Sequence, residues 1–435
     1  MKKSLRKSKL GKNTVLNLLT KASEAVLYFA TDIMAANLLD EKTYGEWCFF
    51  YAIATMVFLA ISFGINHSTR IKVARETENT DKQSAYIFAG FRLRITVSLI
   101  IFALILIAGC FFAPVLGYPQ KYPHLKGMFI MGAVLCLMNS FSEFYKAVYI
   151  GMQKFEYVFY TGLLEFGGFF VFGIGLLAIF GNVYALEAGY ITALGLVSVL
   201  GVCFLRKKQA SKDRFSNERK EMRNEILSDA LPFLITSCGT LVFAEIDTFM
   251  IGALSTAEDV GAYSIAKNLV SKSTHVNYAI CMATMAALAY IGAGNLDQKK
   301  KLFKKLLKLN MAVAVFITAG LFLVGPFAII ILYKNAAAGT IIKYLSVYFF
   351  IYVVNSFFSI FLDYQGKVKI RSIVFLASML FNVLLNGLLI PKWGAVGAAV
   401  ATCISMMPYD LFIILYTMAI FRRLDRERMG MIKEK

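Results

Sequence analysis

Charged side chains that interrupt long apolar stretches are the residues of this sequence best suited to chemistry. The first apolar stretch holds Lys21, Glu24 and Asp32. A charged side chain at the bilayer centre costs roughly 2.5–3.5 kcal/mol, so it usually faces a cavity or a partner. At about 100° of rotation per helical residue, Lys21 and Asp32 lie within about 20° of each other and Glu24 lies about 60° away. We therefore expect these charges to line an aqueous cavity from one helix face; the alternative is a Lys21–Glu24 pair that only neutralises itself.

A second set of charges lies in the seventh and eighth apolar stretches. Glu245 and Asp247 belong to the seventh stretch, and Lys267, Lys272 and His275 belong to the eighth. Lys267 and Lys272 are about 140° apart on a helix, so they cannot both point along one narrow stripe, and one of them could bond a neighbouring helix. From both sets, the residues that we predict to bind a substrate are Lys21, Glu24, Asp32, Glu245, Asp247, Lys267 and Lys272.

Lysines inside a membrane indicate the chemistry of the substrate. A lysine in a low-dielectric cavity is stabilised by an anion, of which phosphate and pyrophosphate are the obvious examples. Nearby carboxylates would prevent permanent trapping of that anion, and they could also bind a proton or Na⁺. The pattern predicts a large anionic headgroup as the substrate and no cofactor, and it leaves coupling to H⁺ or Na⁺ open.

Several other charges stand alone in or near apolar stretches. For these we favour a structural hydrogen bond, or an interfacial position of the charged end, over contact with a substrate. They are Glu165, Glu187, Lys343 and Asp410, together with Glu143 and Lys146 near a cytoplasmic end.

The composition places the whole chain in a membrane. The sequence is 58% hydrophobic and 17% charged, with a mean hydropathy of +0.63, whereas soluble domains average about 45–50% apolar and about 25% charged residues. About twelve apolar stretches reach the roughly 20 residues that cross a hydrocarbon core of about 30 Å. We predict an all-α integral membrane protein with spans at 13–39, 43–67, 87–113, 127–150, 157–180, 185–205, 230–253, 261–290, 309–332, 340–363, 372–390 and 395–421.

Lysine and arginine alternate strongly between the gaps that separate these stretches. Every second gap carries nearly all of the basic residues, and basic loops stay in the cytoplasm. The alternation therefore predicts a multi-pass protein of the bacterial inner (plasma) membrane with both termini in the cytoplasm. It also accounts for the formal net charge of +19 without nucleic acid as a partner.

The basic segment 206–229 separates six predicted spans from six others. We predict an N-terminal six-helix lobe over 1–205, a cytoplasmic linker over 206–229, and a C-terminal six-helix lobe over 230–435 that ends in a basic tail. Segment 34–47 aligns without gaps with segment 250–263, and the two share methionine, leucine, glycine and an aromatic residue. Because six is an even number, both halves start on the same side of the membrane, and the predicted repeats are parallel.

Signatures of enzymes are absent from the sequence. It contains no nucleotide-binding loop of the GxxxxGK[ST] type, no HExxH and no GxSxG. The seven cysteines form no CxxC and no Cys/His cluster, so neither a metal site nor a disulfide framework is indicated. The longest external gap, around 114–126, is short and nearly uncharged, so it leaves little room for a catalytic domain. We therefore predict a protein that is not an enzyme and has no catalytic residues.

Three loose motifs in the right order carry a resemblance to a known family. They are Leu38-x5-Tyr44-Gly-x-Trp47, then Asp247-Thr-Phe-Met-Ile-Gly252 followed by Val260-Gly-Ala-Tyr-Ser-Ile-Ala266, and then Asn382-x3-Asn386-x2-Leu-Ile-Pro391-x2-Gly394-Ala-x-Gly397-Ala-Ala. With them, essentially the whole chain resembles polysaccharide-export flippases of the Wzx type, in the multidrug/oligosaccharidyl-lipid/polysaccharide exporter (MOP) superfamily. The resemblance implies a MATE-like fold of two six-helix lobes that face each other in a V around a cationic cavity. It also implies alternating access that moves an undecaprenyl-pyrophosphate-linked oligosaccharide to the external leaflet.

Two alternatives to such a flippase stay open at the level of sequence. A cation-coupled multidrug exporter of the same superfamily would have an acidic cavity dominated by the carboxylates of the predicted site. A membrane glycan polymerase or ligase is the remoter alternative. For the flippase, the expected partners are the lipid-linked oligosaccharide of a surface polysaccharide such as O-antigen, the membrane lipids, and other membrane proteins of polysaccharide assembly.

Overall fold

Helices provide the regular secondary structure of this protein. The computed structural model describes residues 2–76, 78–112, 121–208, 219–290 and 296–433, and no strand occurs in these ranges. The prediction of an all-α membrane protein is confirmed.

The first half of the chain folds into helices α1 to α6. In order, they are α1 (Lys2–Leu38), α2 (Glu41–Arg75), α3 (Thr80–Ile107, continued by a π-helical turn at Ala108–Phe112), α4 (Leu125–Gly151), α5 (Phe155–Phe180, with a π-helical turn at Phe169–Gly173) and α6 (Val183–Lys208). The second half folds into α7 (Arg219–Leu254), α8 (Ala257–Tyr290), α9 (Leu296–Leu323), α10 (Gly325–Tyr333), α11 (Ala336–Tyr364) and α12 (Val368–Lys433).

The long helix α12 is interrupted at Gly394. This residue has φ 55° and ψ −137°, which is a backbone conformation that residues with a side chain rarely adopt. A Cβ atom at this position would lie only 2.4 Å from Oδ2 of Asp259. Helix α12 therefore consists of two helices, one before and one after Gly394, which correspond to the predicted spans 372–390 and 395–421.

The helices coincide with the predicted spans. Seven helical stretches among the described residues are long and apolar enough to cross a membrane, from Thr80–Phe111 to Val368–Arg423. Helices α1, α2, α7 and α8 lie on further predicted spans. The last residue of the third predicted span, 113, lies outside the described residues.

The chain divides into two compact units, Met1–Glu245 and Ile246–Lys435. Within the N-terminal unit, α4 packs against α2, α3, α5 and α6. Within the C-terminal unit, α11 packs against α8, α9, α10 and α12. The boundary between the units falls within α7. Of the predicted linker, residues 209–218 lie outside the described residues, and the remainder belongs to α6 and α7.

Each unit has its own buried apolar core. The core of the N-terminal unit includes Ile87, Phe144 and Ile226, and that of the C-terminal unit includes Phe357 and Tyr409. Lipid tails are as apolar as these side chains, so close packing and interhelical hydrogen bonds hold membrane helices together. Polar contacts between helices therefore mark the positions where particular helices are joined.

Candidate functional site

A buried carboxyl group joins three helix segments in the C-terminal unit. Asp247 of α7 is only 7% exposed. Its oxygens accept hydrogen bonds from Oη of Tyr263 at 2.8 Å, Nδ2 of Asn386 at 2.7 Å and Oγ1 of Thr402 at 2.6 Å. The three donors come from α8 and from the parts of α12 before and after Gly394. The turn at Gly394 thus brings both parts of α12 to the same carboxyl group.

A further asparagine extends this group, which we call the Asp247 cluster (Asp247, Tyr263, Asn382, Asn386 and Thr402). Nδ2 of Asn386 also lies 3.0 Å from Oδ1 of Asn382, and Nδ2 of Asn382 donates to Oγ1 of Thr402 at 3.3 Å. Oδ1 of Asn386 is buried and has no hydrogen-bond partner among the described residues. Hard cations prefer carboxylate, hydroxyl and amide oxygens as ligands, and the two asparagines could offer amide oxygens beside Asp247 if their amide groups rotated. The carboxyl group alone could bind a proton.

The charge of the Asp247 cluster suits a monovalent ion better than a divalent one. Asp247 supplies its only carboxylate, and the other members are neutral. Across the described residues, no group of three or more His, Cys, Asp or Glu side chains could hold a metal ion. A single negative charge balances one proton or one monovalent cation.

A second polar cluster joins α4 and α5 in the N-terminal unit. The ammonium group of Lys146 lies 2.6 Å from Oε1 of Glu143 and 3.1 Å from Oε2 of Glu165. Ser142 donates a further hydrogen bond to Glu165. The side chains of Lys146 and Glu165 are 11% and 2% exposed. Two carboxylates therefore share one buried lysine in this Lys146 cluster (Ser142, Glu143, Lys146 and Glu165).

A small cavity borders the Lys146 cluster inside the N-terminal unit. Its volume is about 200 Å³, and its walls include Glu143, Glu165, Tyr51, Asn139 and Tyr190. The cavity offers room for water or a small ion beside two carboxylates.

The charges of α1 differ in how far they are exposed. Nζ of Lys21 lies 2.7 Å from Oε2 of Glu24, and the two side chains are 71% and 12% exposed. Asp32 is buried, and its Oδ1 accepts a hydrogen bond of 2.8 Å from Oη of Tyr44 on α2. At 1.5 Å per residue, about 16 Å of helix separates Lys21 from Asp32. The lysine is therefore the accessible charge of this set, and both carboxylates are largely covered by protein.

Sequence comparison assigns the chain to a family. Residues 10–291, more than half of the chain, match the family described as polysaccharide biosynthesis protein. The chain belongs to this family. Residues 232–388 also match the MatE family. With the structural neighbours below, these matches make it a transporter of the MOP superfamily and not an enzyme.

Solved structures of MOP transporters share the fold of this chain. A multidrug resistance MATE family transporter in its inward-facing conformation aligns over 94% of this chain and 99% of its own, with a TM-score of 0.71 and 14% identity. A MOP superfamily transporter from Pyrococcus furiosus, described as having a binding pocket of reverse polarity, aligns over 96% of each chain with a TM-score of 0.60 and 14% identity. At such identities the likeness supports the fold and does not identify the substrate.

A curated relative matches most of this chain. The uncharacterized membrane protein MJ1068 of Methanocaldococcus jannaschii is 23% identical over 438 residues, which cover 91% of this chain and 81% of the relative. This relative is described as a membrane protein, and its description names no substrate.

The structure brings some of the predicted binding residues together and separates others. Lys21 and Glu24 form the pair that their spacing allows. Asp32 contacts α2 instead and does not lie beside them. Asp247 is the centre of its own cluster in the other unit.

The remaining predicted residues lie on α7 and α8. The spacing of the two α8 lysines left open that one of them bonds a neighbouring helix, and Nζ of Lys267 lies 3.2 Å from Oγ1 of Thr248 on α7. Glu245 and Lys272 are half-buried. The side chain of His275 lies outside the described residues.

Sequence reasoning missed most of the partners in these clusters. Asn382 and Asn386 stood in a family-like motif, but uncharged polar residues carry no charge signal of their own. The structural hydrogen bond expected for Glu165 is present. For Glu187 neither expected role is observed, because the side chain is fully buried and both carboxyl oxygens lack a hydrogen-bond partner among the described residues.

Proposed function

We propose that this protein is a flippase for an undecaprenyl-pyrophosphate-linked oligosaccharide, the repeat unit of a surface polysaccharide. It moves this lipid from the cytoplasmic to the external leaflet by alternating access. The family match over residues 10–291 supports a role in polysaccharide assembly. Under this proposal the protein lies in a bacterial inner membrane with both termini in the cytoplasm, because basic residues fill alternate gaps.

The contrast between an accessible lysine and covered carboxylates carries the proposal. Lys21 is 71% exposed, whereas Glu24 is 12% exposed. Asp32 and Asp247 are buried and bonded to tyrosine hydroxyl groups. A pyrophosphate group requires accessible cations, whereas a cationic drug requires accessible carboxylates. The accessible charge therefore favours an anionic headgroup.

A cation-coupled multidrug exporter is the second candidate. Its support is the fold shared with a multidrug resistance MATE family transporter. For this function the carboxylates of the predicted site would have to become accessible to a cationic drug. Of these carboxylates, Glu24 and Glu245 are half-buried, whereas Asp32 and Asp247 are buried.

The Asp247 cluster is the proposed site of the coupling ion, H⁺ or Na⁺. Rotation of an asparagine amide exchanges an N–H donor for an oxygen ligand. Asn382 and Asn386 can therefore either bond within the cluster or coordinate a cation beside Asp247. Ion binding would then change the hydrogen bonds that join α7, α8 and both parts of α12.

The test is deletion of the gene in its host, followed by extraction of the lipids. The flippase hypothesis predicts that the lipid-linked oligosaccharide accumulates on the cytoplasmic side and that the surface glycan disappears. The wild-type gene and a Lys392→Ala control, at an exposed lysine, should both restore the surface glycan. A Lys21→Ala/Lys272→Ala variant that is expressed and folded should not. Normal surface glycan with raised sensitivity to cationic drugs would support the exporter instead.

A further inference from the structure

Glu187 of α6 is a buried carboxyl group without hydrogen bonds. Its relative exposure is 0%, and neither Oε1 nor Oε2 has a hydrogen-bond partner among the described residues. Burying an ionised carboxylate without donors is far more costly than burying the neutral acid. A proton on this carboxyl group therefore accounts for its position in the conformation described.

The surroundings of Glu187 are apolar where α4 approaches α6. A Cβ atom on Gly132 of α4 would lie 3.3 Å from Oε1 of Glu187 and 2.2 Å from the ring of Phe50. The carboxyl group thus lies close to the backbone of α4, near a phenylalanine ring that is itself buried. These neighbours offer nothing that would neutralise a carboxylate.

A second buried carboxyl group, that of Glu46 on α2, contacts a histidine that is partly exposed. Oε2 of Glu46 accepts a hydrogen bond from the backbone N–H of His124 at 3.0 Å, and it lies 3.2 Å from Nδ1 of the same residue. Oε1 of Glu46 is buried without a hydrogen-bond partner among the described residues. The Glu46 side chain is 1% exposed and that of His124 is 37% exposed. The histidine therefore links a buried acid to the surface.

Tyr184 lies about one helical turn before Glu187 on α6, and it contacts His124, the residue that also contacts Glu46. Its hydroxyl donates to the backbone oxygen of His124 at 3.3 Å, and it is within electrostatic range of both Glu46 and Glu187. The titratable groups around Glu46 and Glu187 in the described part of the chain include Lys42 of α2, His124 immediately before α4, Cys136 of α4 and Tyr184 of α6.

We propose that Glu187 is a proton-binding site of the N-terminal unit that exchanges with external water through Glu46 and His124. An O–H bond of Glu187 breaks and the proton passes to a carboxylate oxygen of Glu46, with the Tyr184 hydroxyl or water as the bridge. It then passes to the imidazole of His124 and to solvent. Only a proton moves, and no group is oxidised or reduced.

Proton release from Glu187 depends on the conformation of the helices around it. Release leaves an uncompensated carboxylate in an apolar pocket, so it is favourable only where the helices around α6 admit water or a donor. The external direction and any role in transport rest on the proposed function. Proton binding itself does not, and it can be measured without a substrate.

The experiment is infrared spectroscopy of the full-length protein in lipid nanodiscs as the pH is raised. The wild-type protein should show the carbonyl band of a protonated carboxylic acid without hydrogen bonds. Glu187→Gln, which has nearly the shape of the protonated acid, should lack this band. Glu258→Gln, at an exposed acid, should retain it. Absence of the band in wild type, or its persistence in Glu187→Gln, would overturn the site.

The route through Glu46 is tested on the same band by transfer into deuterated buffer. Glu46→Gln should retain the band but slow its isotope shift by roughly 10²-fold, which is the order of effect of a positioned proton-transfer group. This variant also tests the proposal if Glu187→Gln does not fold. An unchanged exchange rate in Glu46→Gln would exclude the route. If the band is absent from the wild-type protein while gene deletion still abolishes the surface glycan, the flippase proposal stands without the proton site. If the band is present and is lost in Glu187→Gln while gene deletion leaves the surface glycan normal, the proton site stands without the flippase proposal.

Discussion

The hydroxyl group of Tyr44 donates a hydrogen bond of 2.8 Å to Oδ1 of Asp32. The second half of the chain contains the same kind of bond, from Tyr263 to Oδ2 of Asp247, also at 2.8 Å. Each bond joins the first and second helices of its half. The aligned segments place Trp47, rather than Tyr44, opposite Tyr263. The two halves therefore make similar contacts from different positions along their helices.

Removal of the Tyr263 hydroxyl tests whether the Asp247 cluster stabilises the fold. Tyr263→Phe takes one donor from a buried carboxyl group, so we expect the free energy of unfolding to fall by about 1–3 kcal/mol. Tyr344→Phe, at an exposed tyrosine, should change it by less than about 0.5 kcal/mol. Denaturation in detergent measures both. Equal stability of the two variants would show that the hydroxyl of Tyr263 adds nothing.

Removal of Lys146 tests the shared ion pair of α4 and α5. Lys146→Met leaves Glu165 buried beside Glu143 without a cation, so the free energy of unfolding should fall by about 3–5 kcal/mol. Adding Glu165→Gln removes the buried charge and should recover part of this loss. Thermal unfolding of the single and double variants provides the comparison. A double variant less stable than Lys146→Met alone would contradict an ionised Glu165.

Replacement of Asp247 tests ion binding in the C-terminal unit. If the cluster binds Na⁺, exchange of choline chloride for NaCl should raise the Tm of the wild-type protein. At a Na⁺ concentration 100 times the Kd, the free energy of unfolding should rise by about 2.7 kcal/mol. Asp247→Asn should abolish this rise, and Glu258→Gln should retain it. If the cluster binds a proton, the Tm should instead depend on pH in a manner that Asp247→Asn removes. A Tm that responds identically in all three proteins would exclude the cluster as an ion site.

A contact between α2 and α7 outside the predicted spans makes stability depend on pH. Nζ of Lys72 lies 2.9 Å from Oε2 of Glu225, and Tyr86 donates to the same oxygen at 2.8 Å. These hydrogen bonds, that of Lys72 foremost, lower the pKa of Glu225 in the folded protein. The contact therefore stabilises the fold above the unfolded pKa of about 4.3, and this stabilisation is lost as the pH falls through the lower folded value.

Glu225→Gln should reduce that loss of stability on acidification. Because the Glu225 side chain is 40% exposed, the difference between wild type and variant should be only about 0.2–1 kcal/mol. Unfolding curves from about pH 6 to about pH 3 cover the titration of both states. The exposed control Glu258→Gln should follow the wild type. Parallel curves for all three proteins would show that the contact does not stabilise the fold.

The helices of this protein are determined by local properties of the sequence. Apolar stretches of spanning length must satisfy their backbone hydrogen bonds internally, and helices do this without reference to the rest of the chain. The pattern of apolar stretches also placed a boundary between two helices at the gap that contains Gly394. The gap between 372–390 and 395–421 is short, yet the predicted division coincides with the non-helical residue.

The partners of the charged and polar side chains were decided only by the tertiary structure. Hydropathy shows that a helix spans the membrane, but it does not show which helices pack together or how each is rotated. Helical spacing offered the pair Lys21–Glu24, which lies within one turn, only as the alternative to a cavity-lining face. It could not predict that Lys146 meets Glu165 on another helix, or that Thr402 reaches Asp247 across 155 residues. Those contacts depend on the packing of α4 against α5 and of α12 against α7, because side chains far apart in sequence meet only when their helices are packed.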